Sequence, residues 1–543
     1  MGKKEKVFYI AAECKPFSMV GGVGDVAGEL PNALHKHGFD VEIITPGYSS
    51  IDRRHITGEA RSIGPIKFRD ADGELRSEPV EIRTGRLGDV KVHFVMNATY
   101  FEGPDYGKPY VRSPKRPFWD DNLRFSFFSK AILPLIKEGN PDIVHVNDWP
   151  LGYLFGYMQI AAMHHTRVLS VHNIGYQGNV YKPWVQNWQM LEMAEHAQIR
   201  DLFNDPRAGV TDNLNPLRLA LELAHAVNTV SPNYAKEMME PRDDARYFIG
   251  GDGLEPLVRR LSGAGQFVGI LNGLQYKSEP TAEGFAALSE EKKAAKKKFE
   301  SYFRDGASFL VGFVGRAEEQ KVKLLAESLD GKSVLEHILE IPSELGEIPG
   351  VPGEIPGVPG VNVAFLGTGD PEFEALFSAV ETSRWAGART YEEFLTTTRR
   401  GNIVSTIAFD KELARQIWLA SDIFLVPSLY EPCGITQMQS MELATPPLVR
   451  RTGGLADTVV PYGRPDSTGF VFDGATGKNL LRSLVASVRE ARDVFRNNPA
   501  EFQAMRQRAY NTRFTWDDTA QKYAALYGVA RMHNNTRVDA AQP

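Results

Sequence analysis

"VFYIAAECKPFSMVGGVGDVAGEL", residues 7–30, passes from an apolar run through a glycine-rich turn into an apolar, helix-compatible stretch. Gly21, Gly22 and Gly24 place three glycines in four residues at a strand-to-helix joint, where bare backbone can approach an anion. The alternation continues along the whole chain. Short β-rich runs follow at VEIITP (41–46), VKVHFVM (90–96), DIVHV (142–146), RVLSVH (167–172), AVNTVS (226–231) and FVGIL (267–271). A second set stands at FLVGFVG (309–315), VNVAFLG (361–367), NIVSTIA (402–408), DIFLVP (422–427), PPLVR (446–450) and GFVF (469–472). These runs are nearly continuous in apolar residues, as parallel strands buried on both faces require. The pattern restarts after about residue 275, so the expected fold is α/β with two doubly wound Rossmann-like domains in series. Polar, turn-rich YKSEPTAEG (276–284) is the candidate linker. Ligands in such sheets sit beyond the carboxyl ends of the strands, which makes a cleft between facing domains the expected site.

The totals narrow the function classes. At 543 residues the chain exceeds one ordinary core. A net charge of −6, from 62 basic and 68 acidic residues, argues against nucleic-acid and polybasic membrane partners. No apolar run approaches the roughly 20 residues of a membrane span. The opening MGKKEKVFYI lacks the apolar core and cleavage site of a signal peptide. Two distant cysteines, Cys14 and Cys433, fit a reduced, cytoplasmic setting and suggest no zinc site. The exact repeat GEIPGVP, at 346–352 and 353–359, cannot hold a helix and is expected to form an exposed loop before VNVAFLG.

The glycine turn has rival readings. Gly22-Val-Gly24-Asp-Val-Ala27 satisfies the G-x-G-x-x-[G/A] string of dinucleotide-binding folds. Two features count against that reading: the glycines begin eight residues after the apolar run, and no ribose-gripping acid follows the second strand. The alternative is backbone packed against a phosphate or sugar, with Asp25 in the first helical turn. Asp25 there also simply favours the helix dipole.

The C-terminal half decides between them. RRTGGLADTV (450–459) resembles the first loop, and SLYEPCGITQMQSMELA (428–444) runs from a strand through Glu431 into a helix. VGFVGRAEEQK sets Arg316 and Lys321 five residues apart just past a buried strand. Such a pair can hold the two phosphates of a leaving nucleoside diphosphate, stabilising charge that develops as a sugar–phosphate bond breaks.

Together these motifs resemble the bacterial glycogen synthases and plant starch synthases, retaining glycosyltransferases of the GT-B architecture. The resemblance also rests on DNLRFSFFSKAIL (121–133), VHVNDWPLGYL (144–154), LSVHNIGYQGN (169–179), NTVSPNYAKEM (228–238), GDGLEPLVRR (251–260), ILNGL (270–274), LGTGDPEFE (366–374) and FTWDDTAQKY (514–523). It implies an acceptor-side domain over 1–275, a donor-binding domain over 276–513, and a last helix over 514–543 that crosses back to the first domain. It further implies transfer of glucose from ADP-glucose, or UDP-glucose in some relatives, to the 4-OH at a non-reducing α-1,4-glucan end, with retention. No metal and no other cofactor would be used, Arg316 and Lys321 replacing a divalent cation.

By the same resemblance His172 contacts the donor sugar, Glu431 accepts from its hydroxyls beside the N–H groups of Cys433 and Gly434, and Thr436 lies within reach of a phosphate. Asp148 matches an acid of the family's DWH triplet. Gly21, Gly22 and Asp25 belong to the first loop, Asn272 to the LNG stretch, and Phe409 to a position where a ring can stack on adenine. His172 as a strand-end histidine and Cys433 as a packed small residue are the plainer readings. The chain also departs from the family. Met19 stands where a loop lysine reaches the donor phosphates, with Lys15 four residues earlier as a substitute. Pro150 replaces the histidine of DWH, Gln275 replaces an acid after LNG, and Phe101 and Gly103 replace Tyr and Arg of a YDRP-like loop. Two functions follow: an active α-glucan synthase, or a weakened relative that binds nucleotide sugar or glucan as a regulator or scaffold.

Overall fold

The computed structural model describes residues 4–103, 106–110, 119–186, 188–207, 212–300, 302–303, 309–342, 360–383 and 402–541. The GEIPGVP repeats lie outside the described residues. The chain divides into two compact units. Unit 1 comprises Met1–Arg242, Ile249–Gln275 and Thr515–Pro543; unit 2 comprises Asp243–Phe248 and Tyr276–Phe514.

In chain order the strands of unit 1 are β1 (Lys6–Ile10), β2 (Asp40–Pro46), β3 (Arg61–Arg69), β4 (Leu75–Leu87), β5 (Val90–Met96) and β6 (Ile143–Asn147). They continue with β7 (Thr166–Val171), β8 (Val180–Tyr181), β9 (Asn213–Leu214), β10 (Ala226–Thr229) and β11 (Phe267–Gly269). Nine of them form one sheet in the order β11-β10-β7-β6-β1-β2-β5-β4-β3. From β11 to β5 the neighbours are parallel. The strands β6 and β7 have no exposed residue, and the polar residues that interrupt their apolar runs, among them His145, Asn147 and Ser170, are themselves buried. The edge differs: β3, β4 and β5 pair antiparallel. This hairpin is absent from the sequence reading because β4 alternates, burying Glu78, Val80 and Ile82 and exposing the residues between them. A search for continuous apolar runs passes over such a half-buried strand.

Unit 2 contains β12 (Phe309–Val314), β13 (Ser328–Leu329), β14 (Lys332–Ser333), β15 (Val361–Leu366), β16 (Ile403–Thr406), β17 (Ile423–Val426), β18 (Pro447–Arg450) and β19 (Phe470–Phe472). Its six-stranded sheet, β16-β15-β12-β17-β18-β19, is parallel throughout. In each unit the first strand sits inside the sheet, and the chain turns back beside it: at β1/β6 in unit 1 and β12/β17 in unit 2. Such a reversal opens a crevice at the carboxyl ends of the strands.

The last helix, Trp516–Ala541, packs in unit 1 on the helix Gly22–Lys36 and on β7 and β10. Tyr527 Oη meets His145 Nδ1 at 2.9 Å, and Asn228 Nδ2 donates to Tyr523 Oη at 2.9 Å, all buried. Residues 243–248, which the sequence reading places in the first domain, belong to unit 2. The buried Arg450 guanidinium explains this, donating to the carbonyls of Arg246 at 2.7 Å and Tyr247 at 2.9 Å. The candidate linker is shorter than its composition suggests, because the helix Ala282–Glu300 begins inside it. Among the described residues no helix is long and apolar enough to cross a membrane.

Candidate active site

The segment between β1 and the helix Gly22–Lys36 is organised by an acid. Glu13 is 1% exposed, and its carboxylate accepts from the backbone N–H of Val20 and, at 3.2 Å, of Gly21. Burial pushes its carboxyl up to about 7, against the opposing pull of the N–H groups of Val20, Gly21 and Gly24. A Cβ on Gly24 would lie 3.2 Å from Glu13 Oε2 and 3.1 Å from Met19 Cγ, so glycine lets the loop close on the acid. A Cβ on Gly22 would meet nothing within 4 Å, so that backbone faces open space. Gly21 caps the helix in an extended conformation without a side-chain bond. Met19 is 50% exposed. Lys15 Nζ pairs with Asp25 Oδ1 at 2.9 Å, so the lysine nearest the loop is already engaged.

At the ends of β6 and β7 stand Asn147, Asp148 and His172. Asp148 has φ 58°, a conformation unusual outside glycine, and its carboxylate accepts from His172 N at 2.6 Å and from the N–H of Asn173. Burial raises its carboxyl to about 7. Asp148 therefore shapes the backbone that carries His172. The imidazole is pushed down to about 4 by burial and is neutral at pH 7. Asn147 Nδ2 donates to Ile10 O at 2.9 Å, which orients its Oδ1 to accept from Tyr9 Oη and from His172 Nε2, each at 2.9 Å. Nε2 thus carries the proton, and Nδ1 is the acceptor left for a hydroxyl. Asn272, beyond β11, is 5% exposed, and its Oδ1 has no hydrogen-bond partner among the described residues. A buried amide oxygen in that condition is ready for a ligand donor.

In unit 2 the chain leaves β12 through Arg316 and enters the helix Glu319–Ala326, which carries Lys321. Arg316 Nη1 pairs with Glu318 Oε2 at 2.7 Å and its side chain is 45% exposed. Lys321 Nζ contacts the Glu431 carboxylate beyond β17, which also accepts from Ser428 Oγ at 3.0 Å. The structure thus brings Lys321 and Glu431 together and keeps Arg316 on the same strand-end turn. Cys433 is buried, and Gly434, at φ +74°, precedes Thr436 at the start of the helix Thr436–Glu442. Phe409 stands beyond β16 and is 82% exposed.

The second glycine pair works differently from the first. A Cβ on Gly453, at φ +44°, would lie 1.9 Å from Glu431 O, and Gly454 N donates to that oxygen at 2.9 Å. These glycines seat the turn holding Glu431. Of the departures, Pro150 is buried in a short 3-10 turn, Phe101 is buried against Phe127 and Phe128, and Gln275 is exposed. Gly103 has open space where a Cβ would stand. Glu13 and Asn147 escaped the sequence reading. The available signal was an acid ending an apolar strand, which must find donors once buried. No group of three or more His, Cys, Asp and Glu side chains that could hold a metal ion occurs among the described residues.

Residues 6–260 match the family model described as the starch synthase catalytic domain, and residues 402–498 match glycosyl transferases group 1. Glycogen synthase of Streptococcus mutans is 31% identical over 96% of this chain and 99% of its own length. The catalytic domain of starch synthase IV from Arabidopsis thaliana, solved bound to ADP and acarbose, superposes with TM-score 0.73 at 25% identity, covering 97% of this chain and 99% of that one. Sucrose-phosphate synthase of Thermosynechococcus elongatus shares the fold, at 15% identity and TM-score 0.53 over 99% of this chain and all of that one. Two doubly wound units, matched over nearly the whole chain by these relatives, define a glycosyltransferase of the GT-B architecture. Within that class the chain belongs to the glycogen synthase and starch synthase family, whose members are glucosyltransferases.

Proposed function

We propose that the protein is a cytoplasmic enzyme transferring glucose from ADP-glucose to the 4-OH at the non-reducing end of an α-1,4-glucan, with retention and without a metal ion. The observation that carries this reading is the Arg316, Lys321 and Glu431 cluster at the switch point of the unit 2 sheet, with Lys321 touching Glu431. Both cations rest on carboxylates that a diphosphate can displace. Once exchanged, they take up negative charge as the glucosyl–phosphate bond breaks, where stabilisation counts toward rate. Glu431 then turns to the sugar hydroxyls, near the N–H groups of Cys433 and Gly434, with Thr436 beside a phosphate and Phe409 against adenine. His172 is neutral, so it serves through Nδ1 as a hydrogen-bond acceptor for a sugar hydroxyl rather than as an acid. Asn272 Oδ1 accepts from the donor, and Gly21, Gly22 and Asp25 line the loop beside it. Retention requires the acceptor hydroxyl to attack from the face the diphosphate leaves.

A weakened or non-catalytic relative is the second reading, favoured by Met19 in place of a lysine and by Lys15 being held on Asp25. Both readings are tested by nucleoside diphosphate release with glycogen primer, ADP-glucose or UDP-glucose, and EDTA. The first expects primer-dependent turnover that favours ADP-glucose and survives EDTA. Binding of ADP-glucose without turnover selects the second. EDTA-sensitive turnover removes the metal-free part of the first.

A further inference from the structure

The residue at the root of the first loop belongs to neither the diphosphate clamp nor the sugar contacts, yet it fixes the loop. Val20 and Gly21 turn their N–H groups inward to Glu13, which is 1% exposed. The next two N–H groups, of Gly22 and Val23 at the start of the 15-residue helix, have no partner among the described residues, and Gly22 borders open space. One acid therefore sorts the loop donors into those held on it, of Val20, Gly21 and Gly24, and a pair left unpaired, of Gly22 and Val23. We propose that Glu13 is a positioning residue of the donor site, pinning Val20 and Gly21 so that Gly22 and Val23 face the ligand's diphosphate, and making the loop's tolerance of that anion depend on whether Glu13 is charged. This inference rests on the donor reading of the glycine loop given above.

The surroundings of the acid explain the dependence. The ionisable groups felt by Glu13 are Asp25 on the helix, Cys14 beside it, Tyr48 beyond β2, Tyr110, and Asp148 beyond β6. None of these is a cation, and Lys15 is spent on Asp25. With methionine at 19, nothing on the loop offsets an ionised Glu13 when a diphosphate arrives. A protonated Glu13 keeps an oxygen to accept from the loop while removing the repulsion. The carboxyl titrates near 7, so its charge changes across the physiological range. The sign follows by linkage. An anion beside Glu13 raises its proton affinity, so binding takes up protons and weakens as pH rises through 7.

The test is calorimetric binding of ADP-glucose without primer, from pH 6.5 to 8.5, to the wild-type chain and to Glu13→Gln. The ligand's own diphosphate has no proton to lose in that range, and glutamine keeps the accepting oxygen. Wild type is expected to bind about fivefold more weakly at pH 8.5, with a limit of about 25-fold if only the protonated carboxyl admits the anion. Glu13→Gln is expected to lose the Glu13 share of that limb and of the proton uptake, keeping only what Asp148, whose carboxyl burial also raises to about 7, contributes. The same limb in both proteins, or no limb in wild type, overturns the role of Glu13 and leaves the donor reading intact. No binding by either protein overturns both. Should Glu13→Gln fail to fold, carbon-13 glutamate labelling of the wild-type chain decides. A carboxyl resonance titrating near 7 must move upward with ADP-glucose, and one that stays fixed refutes the proposal.

Discussion

Replacing Lys321 with methionine keeps the aliphatic stem and deletes the charge, and its cost can be bounded from the geometry. The lysine and Glu431 side chains are 21% and 8% exposed. Exposed pairs contribute about 0.2–1 kcal/mol, whereas stripping one partner from a fully buried pair costs about 3–5 kcal/mol. This pair lies between, with Ser428 left as a donor to the carboxylate, so about 2 kcal/mol is expected. In a unit of this size that lowers the thermal midpoint by about 4–8 °C. The rate should fall much further. A preorganised donor aimed at developing charge contributes about 2.7–4 kcal/mol, or about 100- to 1,000-fold in kcat. The assay pairs a calorimetric melt with steady-state ADP release under saturating glycogen, at a temperature where both proteins are folded. Retention of kcat within about threefold of wild type, with the midpoint lowered as expected, refutes the assignment of Lys321 to the leaving group and leaves it a structural ion pair.

Three further outcomes are expected. Met19→Lys restores a charge at a half-exposed loop position whose nearest lysine is engaged, so kcat/KM for ADP-glucose should rise about tenfold; an unchanged value means the loop does not meet the phosphates. Phe409→Ala removes a ring that is 82% exposed, and loss of base stacking should raise KM for ADP-glucose roughly tenfold with little change in kcat; equal KM values remove Phe409 from the adenine site. Tyr527→Phe strips the partner from His145 Nδ1, whose ring burial keeps neutral, and should lower the thermal midpoint through a loss of about 1–3 kcal/mol; an unaltered melt contradicts the role given to the last helix in unit 1.

The doubly wound sheets were legible because a buried parallel strand favours a nearly continuous apolar run, as in VFYI, IVHV, FLVGFV and IFLV. The β3–β4 hairpin was not, since it writes its burial at alternate residues and interrupts it with Gly64 and Pro65. Arg316, Lys321 and Glu431 were legible as chemistry: cations and an acid placed just past strands have little packing reason to be there. The contact between Lys321 and Glu431, 110 residues apart, depends on the adjacency of β12 and β17, which only the sheet order supplies. Gly453 and Gly454 show a related limit. A glycine pair marks close approach, but sequence does not say whether ligand or chain approaches, and here it is the carbonyl of Glu431. Glu13 lay in plain view at the end of a strand, yet its importance comes from the loop folding back over it. The capture of residues 243–248 by unit 2 depends on Arg450, some 200 residues away, and leaves no local mark.

A crystal structure of the protein with ADP decides whether Arg316 and Lys321 hold the diphosphate. Diphosphate oxygens are expected within hydrogen-bond distance of both the Arg316 guanidinium and the Lys321 ammonium, with Glu318 and Glu431 released from them. A diphosphate bound elsewhere, or bound with both cations still on their carboxylates, contradicts that assignment.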